Sequence, residues 1–437
     1  MKVEPVDLLA RQVQIVNRHH FSDLSGLDVS WTLSADDQVL QTGQLPRLDT
    51  PAGASEMVTI PFDRPALEPG VEYWLTISFH LAQAMSWAEA GHEVAWAQFR
   101  VPFDVPAGPV LSIVDMPGLA LKESERDVTL RGPDWGLVFD KQEGVIASWQ
   151  YRGMELVQRG PALNIWRAPT DNDEGPKWNK DLISAKKWRE AGLDRLRHRV
   201  EKVTVNHLKP QVVQVEVRSF VCAPDHTDGF ACAYRYAIFG SGDVLLDVHV
   251  VPSGSLPPLP RVGVRMTLPG GDERFTWYGR GPHETYADRK MGAQVGVYSG
   301  TVDGQYVPYI APQENGNKTD ARWVSLTNES GIGLLVVGTA ADGSHPLLEV
   351  SAHHFTAGDL AKARHTHELE RREEITLNLD YRQSGLGGAS CGPATLPQYL
   401  IAPEEIRFGL RLKPFSLEQA SPMQLSKQEI ERPWPET

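Results

Sequence analysis

WYGRGPHETYADRKMG, residues 277–292, and YVPYIAPQENGNKTDARW, residues 306–323, are the stretches whose reading decides this chain. Trp, Tyr, Arg, His, Glu, Asp and Asn crowd here at a density that a sheet protein seldom commits to packing alone. If Arg280, His283, Glu284, Asp288 and Arg289 are buried, they must pair with one another, because an unpaired buried charge costs several kcal/mol or titrates away. Gly279, Gly281 and Pro282 interrupt regular structure, so the cluster is expected on a turn leaving a strand. Aromatic faces beside Asn, Arg and carboxylates also suit a sugar, which offers C–H groups on its ring and hydroxyls at its edge. A structural polar cluster, buried and mutually bonded, accounts for the same residues, and composition favours it.

Working outward, the 437 residues exceed what one ordinary core serves, and two domains are expected. Hydrophobic residues at 41% and charged residues at 23% place the chain among folded globular proteins. A formal net charge of −13 argues against nucleic acid or an anionic membrane as partner. The N-terminal MKVEPVDLLARQVQIV has no apolar signal core, and no apolar run reaches membrane-spanning length, so a cytoplasmic protein is expected. Cys222, Cys232 and Cys391 lack CxxC spacing, which excludes a disulfide scaffold and a thiolate zinc site. No metal-ligand histidine spacing occurs, and no metal or cofactor is expected on this chain.

Short runs alternate from the start: Val13 and Ile15, then Val29, Trp31 and Leu33, then Leu75, Ile77 and Phe79. Period-2 runs with turns between them indicate an all-β chain opening with an immunoglobulin-like β-sandwich over residues 1–105. Ala84 to Trp96 interrupts the alternation; it reads as a mobile loop or, as its helix-favouring, small-residue composition prefers, a helical connection capping the sandwich end. VPFDVPAGP, with three prolines in nine residues, reads as a linker. Residues 106–437 resume alternating strands as one large β domain, with helical islands within Lys180 to Leu193 and from Ala357 to Arg364. Thr356 is the expected N-cap of the latter, with Asp359 at N3.

NIWRAPTDNDEG, residues 164–175, places three carboxylates in four positions after Pro169. Such a cluster holds a cation or caps the helix that follows, and the absence of EF-hand spacing makes calcium the weaker choice. SGLGGASCGP, residues 384–393, has neither the lysine of a P-loop nor a strand-to-helix context, so it is a shaped loop.

NIWRAPTDND, WYGRGPHETYADRK, YVPYIAPQENGNKTDARW and SGLGGASCGP, in this order, resemble the C-terminal portion of the LacZ-type β-galactosidases of glycoside hydrolase family 2. KVEPVDLLARQVQIVNRHHF and SWAEAGHEVAW resemble the immunoglobulin-like domain that precedes it. The resemblance spans essentially the whole chain and implies a fourth-domain sandwich followed by a galactose-mutarotase-like β-supersandwich, the fold of the small-chain region. It also implies a substrate-binding rim, formed by the loop Ser86 to His92 (Glu89, Gly91, His92) and by the tip of the SGLGG loop. That tip reads Ser390, Cys391, Gly392, where the best-known members carry Trp.

A retaining glycosidase needs an acid/base and a nucleophile carboxylate about 5 Å apart. In the family both stand on a TIM barrel, a pattern of roughly 200 residues or more that this chain does not contain. The resemblance therefore implies no catalytic residue here. The partners it implies are the N-terminal catalytic part, which carries magnesium and sodium, a galactoside substrate, and further copies in a homo-oligomer. The chain is then a fragment of a longer frame or a small subunit, inactive alone. Two other readings are a stand-alone aldose mutarotase, with His283 and Glu284 as acid and base, and a carbohydrate-binding module.

Overall fold

In the strand Leu27–Ala35 every second side chain from Leu27 to Leu33 is buried, and the neighbouring strand Tyr73–Leu81 repeats the pattern from Tyr73 to Leu81. Register places Val29 opposite Phe79, Trp31 opposite Ile77 and Leu33 opposite Leu75. Each such side chain contributes roughly 1.5–3 kcal/mol by leaving water, and a one-residue slip would turn all of them outward. This alternation organises the first unit of a computed structural model that describes residues 1–176, 178–179, 183–340 and 344–434.

The chain divides into two compact units, Met1–Pro109 and Val110–Thr437. In the first, Gln38–Gln44, Leu27–Ala35, Tyr73–Leu81 and Glu93–Arg100 form one antiparallel sheet, and Lys2–Asp7, Gln12–Val16 and Ser55–Thr59 form another. Val13 and Ile15 from the second sheet join Trp31, Leu75 and Phe79 in one core.

The segment from Ala84 to Trp96 is not the expected helical cap. Leu81 donates its N–H to the His92 carbonyl at 3.0 Å, and Gly91 donates to the Leu81 carbonyl at 2.7 Å. From Glu93 the chain is a strand paired with Tyr73–Leu81. Helix propensity is a weak preference, and the ladder that this strand completes outweighs it.

The second unit packs two large antiparallel sheets, of nine and ten strands among the described residues, around one core. The nine-stranded sheet includes Val212–Cys222, whose Val213, Val215 and Val217 all point inward, and ends on Trp323–Thr327, Arg274–Gly281 and Gln294–Thr301. The ten-stranded sheet begins Lys318–Ala321, Leu348–His353, Ile375–Gln383, Arg261–Leu268, Arg159–Asn164. Phe139 of this sheet meets Tyr236 of the other edge-on, ring centroids 5.2 Å apart.

Helices are few. Ser184–Glu190 falls within the expected island, of which residues 180–182 lie outside the described residues; it buries Ala185 and Trp188. Ala357–Lys362 begins at Thr356 as expected: the Asp359 N–H donates to the Thr356 hydroxyl at 3.1 Å, and the Thr356 N–H to the Asp359 carboxylate at 2.8 Å. A matching box between Thr170 and Asp173 opens the single turn Asp171–Glu174, so the acidic run caps a helix. No helix among the described residues is long and apolar enough to cross a membrane.

Candidate functional site

The strand Arg274–Gly281 carries the first half of the opening stretch, and Gly279 and Gly281 lie inside it instead of breaking it. At Gly279 an added Cβ would stand 2.9 Å from Ala321 Cα, so glycine is what lets Lys318–Ala321 approach this strand. The turn begins at Pro282 and is closed by an isolated bridge between Tyr286 and Arg289.

This turn runs along the wall of a cavity of about 760 Å³, and that position overturns the expected buried network. His283 and Arg289 are exposed, and Arg280, Glu284 and Asp288 are half-buried. Within the five, only Arg289 and Glu284 approach, at 3.5 Å. Arg280 instead pairs with Asp320 and donates to the Ala293 carbonyl at 2.8 Å. Glu284 accepts from the Tyr309 and Tyr286 hydroxyls and from Gly316 N–H. A turn on a cavity wall satisfies its charges from backbone, hydroxyls and solvent, so nothing forces them onto each other.

Asp288 reaches in another direction. Its carboxylate accepts Leu386 N–H at 2.9 Å and Gly387 N–H at 2.7 Å, both in the glycine-rich loop. Asn172, from the NIWRAPTDND motif, holds the same loop from the other side: its Nδ2 donates to the Gly387 carbonyl at 2.9 Å and its Oδ1 accepts Ser390 N–H at 3.0 Å. Arg167 anchors the base, donating to the Ser384 and Gly385 carbonyls from a fully buried position against the Trp188 ring. Asp173 neutralises it at 2.7 Å. Gly387 has φ +64, a left-handed turn where a Cβ would also press on Thr395. The result is a loop clamped at both ends whose tip, Ser390 and Cys391, is exposed.

Beneath the loop lies a buried ionic core. Arg261 is fully buried and donates to Asp380 and to Glu314, at 2.8 and 3.0 Å. Gln383, one residue before the loop, donates to Glu314 at 3.4 Å. Burial opposes the charge on Arg261, but Asp380 and Glu314 hold its pKa above the ordinary value. Burial pushes the Asp380 carboxyl up to about 6 against the pull of Arg261. His353 is pushed down by burial while its Nε2 contacts the Asn315 carbonyl at 2.8 Å. These bonds fix the 313–317 segment that leads into Lys318, which lines the cavity.

Glu273, Asp303 and His354 bring ligand atoms within 4.8 Å of one another, a spacing open to a metal ion. The Arg371 guanidinium supplies the positive charge there, with Asp303 at 3.0 Å, Glu273 at 3.5 Å and His354 Nε2 at 2.9 Å. The donor set is thus an ion-pair network in this chain.

Glu89, Gly91 and His92 lie in the first unit, all exposed, on the loop before Glu93–Arg100. His92 meets Trp87 edge-on at 5.6 Å, and Trp87 is itself exposed.

Arg167, Asn172, Arg261, Asp380 and Lys318 were not singled out by sequence reasoning. For Arg261 and Asp380 a signal exists, a charge inside an otherwise apolar strand in PRVGVRM and LNLDY. Asn172 stands in the NIWRAPTDND motif, but nothing local shows its role as a loop clamp, since its partners lie 215 and 218 residues away.

Two family models match the chain: one described as β-galactosidase small chain over residues 131–412, and one described as β-galactosidase, domain 4, over residues 13–102. The chain is 33% identical over 403 residues to a β-galactosidase of Priestia megaterium (strain DSM 319 / IMG 1521), a match covering 92% of this chain and 37% of that protein. It is 30% identical over 429 residues to a β-galactosidase of Arthrobacter sp. (strain B7), covering 91% and 39%. The chain thus spans well under half the length of these relatives. Among solved structures, a galactose 1-epimerase from Lactobacillus acidophilus NCFM superposes with a TM-score of 0.34 at 10% identity, over 69% of this chain and 99% of that one. A GalM/aldose epimerase homologue from C. elegans gives the same values. A likeness at that TM-score is too distant to bear on function.

Proposed function

Because the chain belongs to the β-galactosidase small-chain family, we propose that it is the C-terminal part, or the small subunit, of an enzyme that hydrolyses terminal β-D-galactosyl residues such as that of lactose. Its role is to complete the rim of a substrate site whose catalytic carboxylates stand outside this chain. The observation that carries this reading is the clamp on residues 384–391. Three motifs far apart in the sequence meet to hold one exposed tip, Ser390 and Cys391, in a fixed place. A fixed tip is what positioning a leaving group requires, since loose contacts lose most of the gain from orientation.

The chain alone is inactive in this reading. Glu314 and Asp380 share Arg261 and are 5% and 0% exposed, so no glycosidic bond reaches them, and Glu273 and Asp303, which neighbour each other, are both paired with Arg371. A retaining pair must flank the sugar about 5 Å apart, with one member protonated for the leaving group. That pair, together with magnesium and sodium, belongs to the catalytic polypeptide that partners this chain, in an assembly of several copies.

The mutarotase reading needs Glu284 as a base. Its two oxygens already receive the Tyr309 and Tyr286 hydroxyls, Gly316 N–H and the Arg289 guanidinium, which leaves no room for a sugar hydroxyl. Nothing specific favours a stand-alone binding module.

The test is hydrolysis of a chromogenic galactoside by this chain, by the catalytic part, and by their mixture. Turnover is expected from the mixture only. Turnover by the chain alone, after removal of host enzyme, would overturn the assignment of catalysis elsewhere.

A further inference from the structure

The cavity beside Glu284 ends on a lysine that the rim does not use. Lys318 opens the strand Lys318–Ala321, is 2% exposed, and still lines the cavity. Its ammonium stands 5.0 Å from the Trp277 ring centroid, and among the described residues no hydrogen-bond acceptor meets its three N–H groups. A buried ammonium in that state is costly, and a cation–π contact offsets only part of the loss of water.

The acids on the same wall are in the opposite condition. Glu284 accepts from two hydroxyls, one backbone N–H and Arg289, and both oxygens of Asp288 are taken by loop amides. Lys290 is held by Asp320 at 2.7 Å, and Arg289 is largely exposed. In a chain of net charge −13, this wall carries three cations against two carboxylates with their lone pairs engaged. What it lacks is an acceptor with a single negative charge. A neutral polyol adds no charge to the attraction that Glu284 alone exerts on the ammonium, and a dianionic phosphate sets its second charge against Glu284.

We infer that this cavity binds a carboxylate, which accepts from Lys318 Nζ and is flanked by Arg289. The compact ammonium with rotatable donors suits a monodentate carboxylate oxygen, and Arg289, on the lining of the same cavity, is the candidate donor to the second oxygen. The carboxylate comes from a free sugar acid or from an acidic side chain of the polypeptide that completes the enzyme. The inference is independent of the rim, because the bonds that clamp residues 384–391 come from Asp288, Asn172 and Arg167 and not from Lys318.

Calorimetric titration of the chain with sodium galacturonate, with galactose as the uncharged control, tests the first source at pH 7 and constant ionic strength. Saturable binding of galacturonate is expected, at least tenfold weaker in Lys318→Met. Labelling of Lys318 by acetic anhydride, read by mass spectrometry, needs no variant and tests both sources. Slowing by galacturonate assigns a free acid; slowing only after the catalytic part is added assigns a side chain. Galacturonate binding unchanged in Lys318→Met, or equal labelling of the free, galacturonate-saturated and assembled forms, would overturn the inference.

Discussion

The carboxylate of Asp288 accepts Gly387 N–H at 2.7 Å, tying the turn after Gly281 to a loop 99 residues further along the chain. Bonds to an ionised acceptor are roughly twice as strong as neutral ones, so one side chain sets where the tip of that loop can stand.

Asp288→Asn keeps one acceptor oxygen and turns a donor toward an amide N–H. One of the two loop amides then loses its partner, at a cost of about 1–3 kcal/mol. Hydrogen exchange at Leu386 and Gly387 should accelerate at least tenfold, while Leu377 in its strand stays protected. Unaltered exchange at both loop amides would show that Asn172 and Arg167 suffice.

Arg261→Met strands Glu314 and Asp380 as buried carboxylates with no cation between them. The expected loss is roughly 3–5 kcal/mol, read as a lower urea midpoint. Replacing all three by apolar residues of similar volume should recover most of it. A single variant as stable as the parent would show that the ionic core does not hold the fold together.

Cys391 is exposed, so Cys391→Trp should leave the melting temperature unchanged. In the assembled enzyme an indole at the rim adds a stacking face worth on the order of 1 kcal/mol, and KM for an aryl galactoside should fall several-fold, up to roughly tenfold. Release of the galactosyl group should be unaffected, since the leaving group has already departed. An unchanged KM contradicts the rim assignment of Cys391.

Asp359 is held down to about 2, chiefly by Arg372 and with help from the Thr356 cap. Its folded pKa lies below the unfolded one, so the stability it contributes is present above about pH 4 and is lost as pH falls toward 2. Asp359→Asn should lower the urea midpoint at pH 6, by about 1 kcal/mol or less given its partial exposure, and the gap should narrow as pH falls through 3 and close only at about pH 2 and below.

Lys318 moves oppositely. Burial brings it down to about 8 against the attraction of Glu284, so the native state disfavours its charge. That penalty is fully present below pH 8 and fades as pH rises toward 10.5, where the unfolded lysine also loses its proton. Lys318→Met should therefore be more stable than the parent at pH 7 in carboxylate-free buffer, by up to a few kcal/mol, with the difference shrinking by pH 10. A difference independent of pH would show that the ammonium is not the cause.

Alternation from Leu27 to Leu33, the caps at Thr356 with Asp359, and the glycine-rich loop were legible in the sequence because each is set by atoms within a few residues of one another. Side-chain period and the reach of a hydroxyl to a backbone N–H three positions on are local properties, and they survive without knowledge of the sheet. Ala84 to Trp96 misled because its helix propensity is local while the strand it completes is not. The buried network expected around Arg280 and Glu284 failed for the same reason: residue type states that a charge needs a partner, but burial and sheet order choose which one. Only the tertiary structure set Asp288 against Gly387, Asn172 against Ser390 and Arg261 between Glu314 and Asp380. Those contacts arise where distant strands become neighbours, and the shift of a pKa such as that of Lys318 comes from the solvent that those neighbours exclude.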